Sequence, residues 1–203
     1  SDQPSLFFAV TLHFGTLISL LIVFYKDIIN IIKYFFKGLF IRKFRRNENF
    51  QMALFIIIAI IPAGIAGYLF NSAIENAFSK PIYAALFLLV TAVILVLFEF
   101  FGMRNEIKYM NKENNPKIMN YLIAIITGIG QAVAIIPGIS RSGTTISTTR
   151  IFGIKREEAV RFSFLISIPV IFGSFVFELY DYGKEYSLSN IRINNVLPII
   201  IGF

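Results

Sequence analysis

Apolar residues in this chain come in long unbroken blocks; they neither alternate with polar ones nor recur once per helical turn. Leu6 to Tyr25 is a 20-residue run without formal charge, and Asn49 to Ile74 is free of charge between Glu48 and Glu75. Pro81 to Phe98 gives 18 residues, Ile118 to Ser140 gives 23 and Phe162 to Phe177 gives 16. A helix that crosses a bilayer needs about 20 mostly apolar residues, within a range of about 17–25. Continuous runs predict such helices and not barrel strands, whose side chains alternate. The pattern therefore predicts an all-α polytopic membrane protein. Its spans fall at about 5–25, 50–72, 81–99 and 162–178, with a truncated one at 195–203 and a special segment at 118–153.

Small residues recur every fourth position inside the runs: Thr11, Gly15 and Ser19; Ala59, Ala63 and Gly67; Ala124, Gly128 and Ala132. Such stripes let helix backbones approach closely in lipid, so a packed bundle is expected. The charges between runs set its orientation. Lys26 to Glu48 carries seven Lys/Arg, Glu99 to Lys117 four and Arg150 to Arg161 four, against one in Asn71 to Lys80 and two in Glu178 to Asn194. The positive-inside rule puts the three basic connections in the cytoplasm. Two of them, 99–117 and 150–161, are consecutive, so 118–153 cannot cross once. It breaks at Pro137-Gly138, and its second arm has about a dozen residues, too short for the core at about 1.5 Å per residue. The segment is predicted to be a re-entrant helix–loop–helix with its tip near mid-membrane. Irregular backbone at that depth is tolerated only inside protein or beside a water-filled cavity.

Composition narrows the class further. Hydrophobic residues are 56% of the chain, charged residues 15%, and mean hydropathy is +0.71. Soluble domains average about 25% charged residues, so a water-soluble enzyme is excluded. The absence of cysteine excludes disulfides and thiol catalysis, and a single histidine excludes a multi-His metal centre. The net charge of +7 reads as membrane orientation and not as nucleic-acid binding. The chain starts at Ser1 close to an apolar run and stops at Phe203 inside another, so further sequence is expected at both ends.

Chemistry concentrates at the hairpin tip, Pro137-Gly138-Ile139-Ser140-Arg141-Ser142-Gly143-Thr144-Thr145. Arg141 is the only charge between Lys117 and Arg150, and an intramembrane arginine costs at least about 2.5–3.5 kcal/mol. A second helix starting near Ser142 or Gly143 adds free backbone N–H groups, and the hydroxyls of Ser140, Ser142, Thr144 and Thr145 surround the same point. Every element donates to negative charge. The tip is an anion site, and phosphate suits the guanidinium fork best. The alternative, an Arg141 that pairs with a buried acid or reaches a surface, finds no acid within 15 residues on either side. Gln131, one turn beyond Thr127, is either part of the site or an ordinary interhelical hydrogen-bonding residue. His13 reads as a packing residue more readily than a base. Glu178 and Asp181 read as solvated acids more readily than cation ligands.

The tip resembles the Pro-Gly-x-Ser-Arg-Ser-Gly-x-Thr loop of the undecaprenyl-diphosphate phosphatase, or bacitracin-resistance, family. Leu12 to Leu17, Ile60 to Ala63, and Phe162 to Leu165 leading to Ile168-Pro169 agree in order. The resemblance implies an inverted-repeat helical bundle in the bacterial inner (plasma) membrane. It implies a multi-pass hydrolase that converts undecaprenyl diphosphate to the monophosphate and phosphate through a site opening outward. It makes Ser140, Arg141 and Ser142 the catalytic candidates, and Ser140, Arg141, Ser142, Gly143, Thr145 and Gln131 the substrate-binding ones. Arg141 would clamp the diphosphate, and Ser142 would position phosphate in preference to attacking it. The family's first hairpin, with its acidic pair and Ser-Ser-Thr-Gly-His turn, belongs before residue 1, and His13 does not match that histidine. A divalent cation (Mg or Ca) would find its ligands in that hairpin, and no metal ligand is expected here. As it stands the chain is expected to be inactive. The implied partners are a polyprenyl diphosphate lipid, the bilayer and a second copy in a homodimer, with no nucleic acid. Broken helices and inverted repeats also suit a secondary transporter of an anionic substrate, which stands as the alternative.

Overall fold

The computed structural model describes residues 6–70, 81–113 and 118–185. Seven α-helices are found among them: α1 (Leu6–Val23), α2 (Tyr25–Phe40), α3 (Glu48–Leu69), α4 (Pro81–Glu113), α5 (Tyr121–Val133), α6 (Arg141–Ile151) and α7 (Arg156–Glu185). A short 3-10 turn, Arg42–Arg46, joins α2 to α3, and no strand occurs among the described residues. Helices long and apolar enough to cross a membrane are Glu48–Leu69, Ile82–Ile107 and Arg156–Phe177. The protein is a multi-pass membrane protein. The expected span at 195–203 lies outside the described residues.

Neither arm of the expected hairpin can cross. Helix α5 has 13 residues and α6 has 11, about 20 and 16 Å at 1.5 Å per residue, against a core of about 30 Å. Asn120 caps α5 by accepting from Ile123 N at 3.0 Å, and Ser140 caps α6 by accepting from Gly143 N at 3.2 Å. Both caps offset an amide that a helix start leaves unpaired.

Two stretches read from sequence as bare connections are helical. Residues 26–40 belong to α2, whose apolar and basic positions segregate to different sides. Helix α4 does not stop near 99 but runs on through the basic connection to Glu113. A search for charge-free runs misses both, because charged residues interrupt the apolar sequence of each helix.

The chain divides into two compact units. One comprises residues 27–166. Its core packs Phe55 and Ala59 of α3 against Ala124 of α5 and Phe162 and Ile166 of α7. The small-residue stripes are the reason this packing is close. A Cβ on Gly128 would lie 2.5 Å from the Ala59 carbonyl oxygen, so only glycine fits there. The stripe on α3 ends sooner than its spacing suggests, because Gly67 faces open space. A second cluster, Ile123, Ile154 and Ala159, closes the base of the α5–α6 hairpin. The other unit comprises residues 1–26 and 167–203. Within it Leu17 of α1 and Ile171 of α7 are buried, and Pro169 is accommodated inside α7.

Candidate active site

The hairpin turns at residues 134–140, and α4 dictates how. Gly138 has φ +93°, in the left-handed region open to glycine. A Cβ there would meet the Ala84 carbonyl oxygen at 2.3 Å and Phe87 Cβ at 2.9 Å. Thr91 Oγ1 donates to the Gly138 carbonyl at 3.0 Å, so α4 both shapes the turn and satisfies it. Gly138→Val is therefore expected to reduce any activity of the tip at least tenfold, because several kcal/mol of clash and strain displace the loop. Activity measured per folded molecule checks this; unchanged turnover would mean the tip tolerates a different turn.

Contact with α4 also fixes depth. Ala84 lies three residues after Pro81 and 15 before Glu99, so the turn sits about 22 Å along α4 from Glu99 at 1.5 Å per residue. The other end of α6 lies level with Gly102 and Asn105, where a Cβ on Gly102 would meet Arg150 Cβ at 3.1 Å and Asn105 donates to the Ile151 carbonyl. The sequence suggests a tip near mid-membrane; the structure carries the turn past the middle of the α4 span. Arg141 and Gly143 are level with its centre, since a Cβ on Gly143 would meet Leu95 at 2.8 Å.

At the tip, donors outnumber acceptors. Helix α6 begins at Arg141, slightly earlier than the sequence suggests. Ser140 accepts the amides of Gly143 at its hydroxyl and Thr144 at its carbonyl, the latter at 2.9 Å. The amides of Arg141 and Ser142 have no backbone acceptor among the described residues, as expected for the first turn of a helix. The Ser142 side chain is exposed, and its hydroxyl is not bonded within the described residues. Arg141 is half-buried, and no described carboxylate pairs with it. A guanidinium, two free amides, one free hydroxyl and the positive end of a helix dipole thus share one place.

The remaining sequence candidates take other positions. Thr144 Oγ1 donates back to the Ser140 carbonyl at 2.8 Å. Thr145 is buried one turn further from the tip. Its hydroxyl lies 2.9 Å from the Arg141 carbonyl oxygen and 2.6 Å from Ser163 Oγ of α7. If it donates to the helix backbone, it accepts from Ser163. Thr127 bonds Thr149 at 3.0 Å, and Thr149 donates to the Thr145 carbonyl at 2.7 Å. Gln131 is 1% exposed, yet neither its amide nitrogen nor its oxygen has a partner among the described residues. The ordinary interhelical hydrogen bond considered for Gln131 is thus not made. A buried amide left unbonded costs about 1–3 kcal/mol, which marks the group as held for something other than packing.

Sequence reasoning missed the base of the hairpin. Arg150, 2% exposed, donates to Glu99 Oε1 and, at 3.0 Å, to Glu106 Oε2; Arg156 also reaches Glu99, at 3.1 Å. Asn105 Nδ2 donates to the Ile151 carbonyl at 2.6 Å. The signal was present: Glu99 and Glu106 are seven apart, two turns on one face of a helix, but only if the helix continues past 99. A cleft of about 330 Å³ among Glu48, Met52, Phe55, Met119, Arg161 and Phe162 lies beyond this base and shares no residue with the tip.

Among the described residues no three His, Cys, Asp or Glu come together to hold a metal ion. The tip itself offers hydrogens to an anion and not lone pairs to a cation, so it does not fit a divalent ion and no step is derived through one. His13 lies within α1. Glu178 and Asp181 lie within α7, their side chains outside the described residues.

Comparison with known proteins follows the same line. The family model described as bacitracin resistance protein BacA matches residues 1–203. Relatives named undecaprenyl-diphosphatase include those of Methanosphaera stadtmanae, 35% identical over 99% of the chain and 74% of the relative, and Methanobrevibacter smithii, 39% identical over 99% and 70%. A third, from Christiangramia forsetii, is 41% identical over 87% of the chain and 61% of the relative.

Proposed function

The chain belongs to the BacA bacitracin-resistance family, and on that premise we propose that it hydrolyses undecaprenyl diphosphate to undecaprenyl phosphate and inorganic phosphate. The observation that carries the reading is the hairpin tip: a half-buried Arg141 beside two amides and the hydroxyl of Ser142, none of them with a partner among the described residues. A diphosphate supplies the negative oxygens this set lacks. Arg141 grips two of them in bidentate fashion, and the amides of Arg141 and Ser142 take others at the helix start. Water adds its oxygen to the terminal phosphorus while the bond from that phosphorus to the bridging oxygen breaks. The electron pair leaves on the lipid monophosphate. Charge gathers on the transferring group and on the leaving oxygen during that step, so fixed donors at the tip stabilise the transition state more than the ground state. Ser140 sets the helix start and thereby aims both amides. Thr145, bonded to Ser163, supports the first turn from beneath. Gln131 is the buried amide nearest in sequence to the turn on the α5 arm, and its unmet hydrogen bonds fit a phosphate oxygen or a bound water.

Depth supports access from outside. With the basic connections in the cytoplasm, the Gly138 turn lies in the outer half of the bilayer and Arg141 near its middle. A diphosphate entering from the outer side reaches Arg141 past that turn, while the isoprenoid tail remains in the acyl region. The cellular setting proposed is the plasma membrane, where such hydrolysis recycles the lipid carrier of cell-wall synthesis. A divalent cation, magnesium or calcium, would need carboxylates other than the residues at this tip.

The relatives' printed names favour hydrolysis over anion transport. The full-length protein, purified in detergent and given undecaprenyl diphosphate, should release phosphate. Uptake of a labelled anion into liposomes without phosphate release would instead establish the transporter.

A further inference from the structure

We propose that α2 and the following 3-10 turn form an in-plane binding surface for anionic phospholipid headgroups of the cytoplasmic leaflet. This inference uses only the membrane setting and does not depend on the hydrolase reading.

Helix α2 has three distinct sides. Ile31 and Gly38 are buried, and a Cβ on Gly38 would meet the Phe50 ring at 2.2 Å, so this side is pressed onto the start of α3. Phe35 stacks on the same Phe50 ring, centroids 6.1 Å apart. A second side exposes Ile29, Ile32, Phe36, Leu39 and Phe40. In water a contiguous stripe of that kind would be a liability; against acyl chains it is an anchor. The third side carries Lys33 and Lys37, four residues apart and so on one face. The 3-10 turn that follows adds the exposed Arg42, Lys43 and Arg46.

The turn is fastened to the helix. Arg45 Nε donates to the Gly38 carbonyl at 3.0 Å, and Lys37 lies 5.3 Å from the Phe44 ring centroid. The five cations Lys33, Lys37, Arg42, Lys43 and Arg46 are therefore held on one clipped unit, and none pairs with a described carboxylate. Orientation by the positive-inside rule needs only a count of charges and would be met by the same residues in an irregular loop. It does not require a separate exposed apolar side on the same helix. The combination of an apolar side and a flanking cationic side is what a helix lying in the headgroup region requires. With 16 residues, about 24 Å at 1.5 Å per residue, α2 is too short to cross a core of about 30 Å by itself, and it is bent 77° from the end of α1. Charge complementarity selects the occupant: an anionic lipid whose phosphate meets the lysines while its chains lie along Ile32 and Phe36.

The chain contains no tryptophan, so Phe36→Trp places a lone reporter on the lipid-facing side. The purified full chain carrying that reporter is reconstituted into phosphatidylcholine vesicles doped with brominated phosphatidylglycerol or brominated phosphatidylcholine. Quenching by the anionic lipid should exceed quenching by the neutral one several-fold at low salt. High salt should remove the difference, since surface charge interactions are screened. Adding K33Q, K37Q, R42Q and K43Q should abolish it, as each cation near an anionic surface is worth about fivefold. Equal quenching by the two lipids, or a preference indifferent to salt, overturns the proposal without any need for the quadruple variant to fold. A preference that survives in the folded quadruple variant overturns it as well. Phosphate release is not the readout, so failure of the hydrolase reading leaves this test intact.

Discussion

Arg141→Ala is expected to lower phosphate release by about 10²–10³ per folded molecule, the usual cost of removing one fixed donor from a developing oxyanion. Arg141 faces no described carboxylate, so its removal leaves no unpaired buried acid behind. Folding should survive the change, and the loss should fall on turnover. Arg141→Lys keeps the charge but loses the planar two-pronged donor, so it should recover only part of the rate. The measurement is phosphate release from undecaprenyl diphosphate by the full-length variants, normalised to the fraction that melts cooperatively. Near-normal turnover in folded Arg141→Ala would remove the diphosphate clamp from the reading.

The second arginine of the hairpin should behave in the opposite way. Arg150→Leu leaves Glu106 without its cation and Glu99 with only the exposed Arg156. Deleting one side of a buried charge pair costs about 3–5 kcal/mol. Glu99 and Glu106 keep 34% and 22% of their side-chain surface exposed, so the low end of that range is expected. Thermal melts in detergent should show a clear drop for Arg150→Leu. Partial recovery is expected when Glu99→Gln and Glu106→Gln are added, because the uncompensated acids are then gone. Turnover per folded molecule should change far less than for Arg141→Ala. A melting temperature unaltered by Arg150→Leu would mean that the three charges are solvated independently.

The contrast between the two arginines shows what sequence could and could not yield. The re-entrant hairpin was legible because topology is a matter of parity, and its arms were legible because length is a matter of counting. The tip was legible because Pro137, Gly138 and Arg141 are unusual residues at membrane depth. Arg150 was not, since a charge at the end of an apolar run looks like any cytoplasmic flank. Only the continuation of α4 to Glu113 brings Glu99 and Glu106 against it. Thr145 illustrates the same limit at finer scale. Four residues after Arg141 it occupies nearly the same helix face, so sequence spacing groups it with the tip. It sits about 6 Å deeper along α6, where Ser163 covers it. Helix α2 escaped because its charges interrupt the apolar run that a span search requires, though they recur with helical spacing.

Of the eleven residues in α6, only Ile146 and Ile151 are large and apolar; the rest are Arg, Ser, Thr and Gly. Lipid alone cannot host such a segment, because its hydroxyls and guanidinium would meet hydrocarbon. It has no stable resting place until α4 offers Thr91 and Asn105, α5 offers Thr127, and α7 offers Ser163. Ser163 is made after α6. During synthesis the segment must therefore wait at the membrane surface, or in the insertion machinery, until the twelve residues from Phe152 to Ser163 have emerged. A chain stalled before Ser163 would lack the α7 partner of Thr145. Defects in α3–α5 packing, at Gly128 for instance, would then surface as failed biogenesis and proteolysis, with the residues of the hairpin tip themselves unchanged.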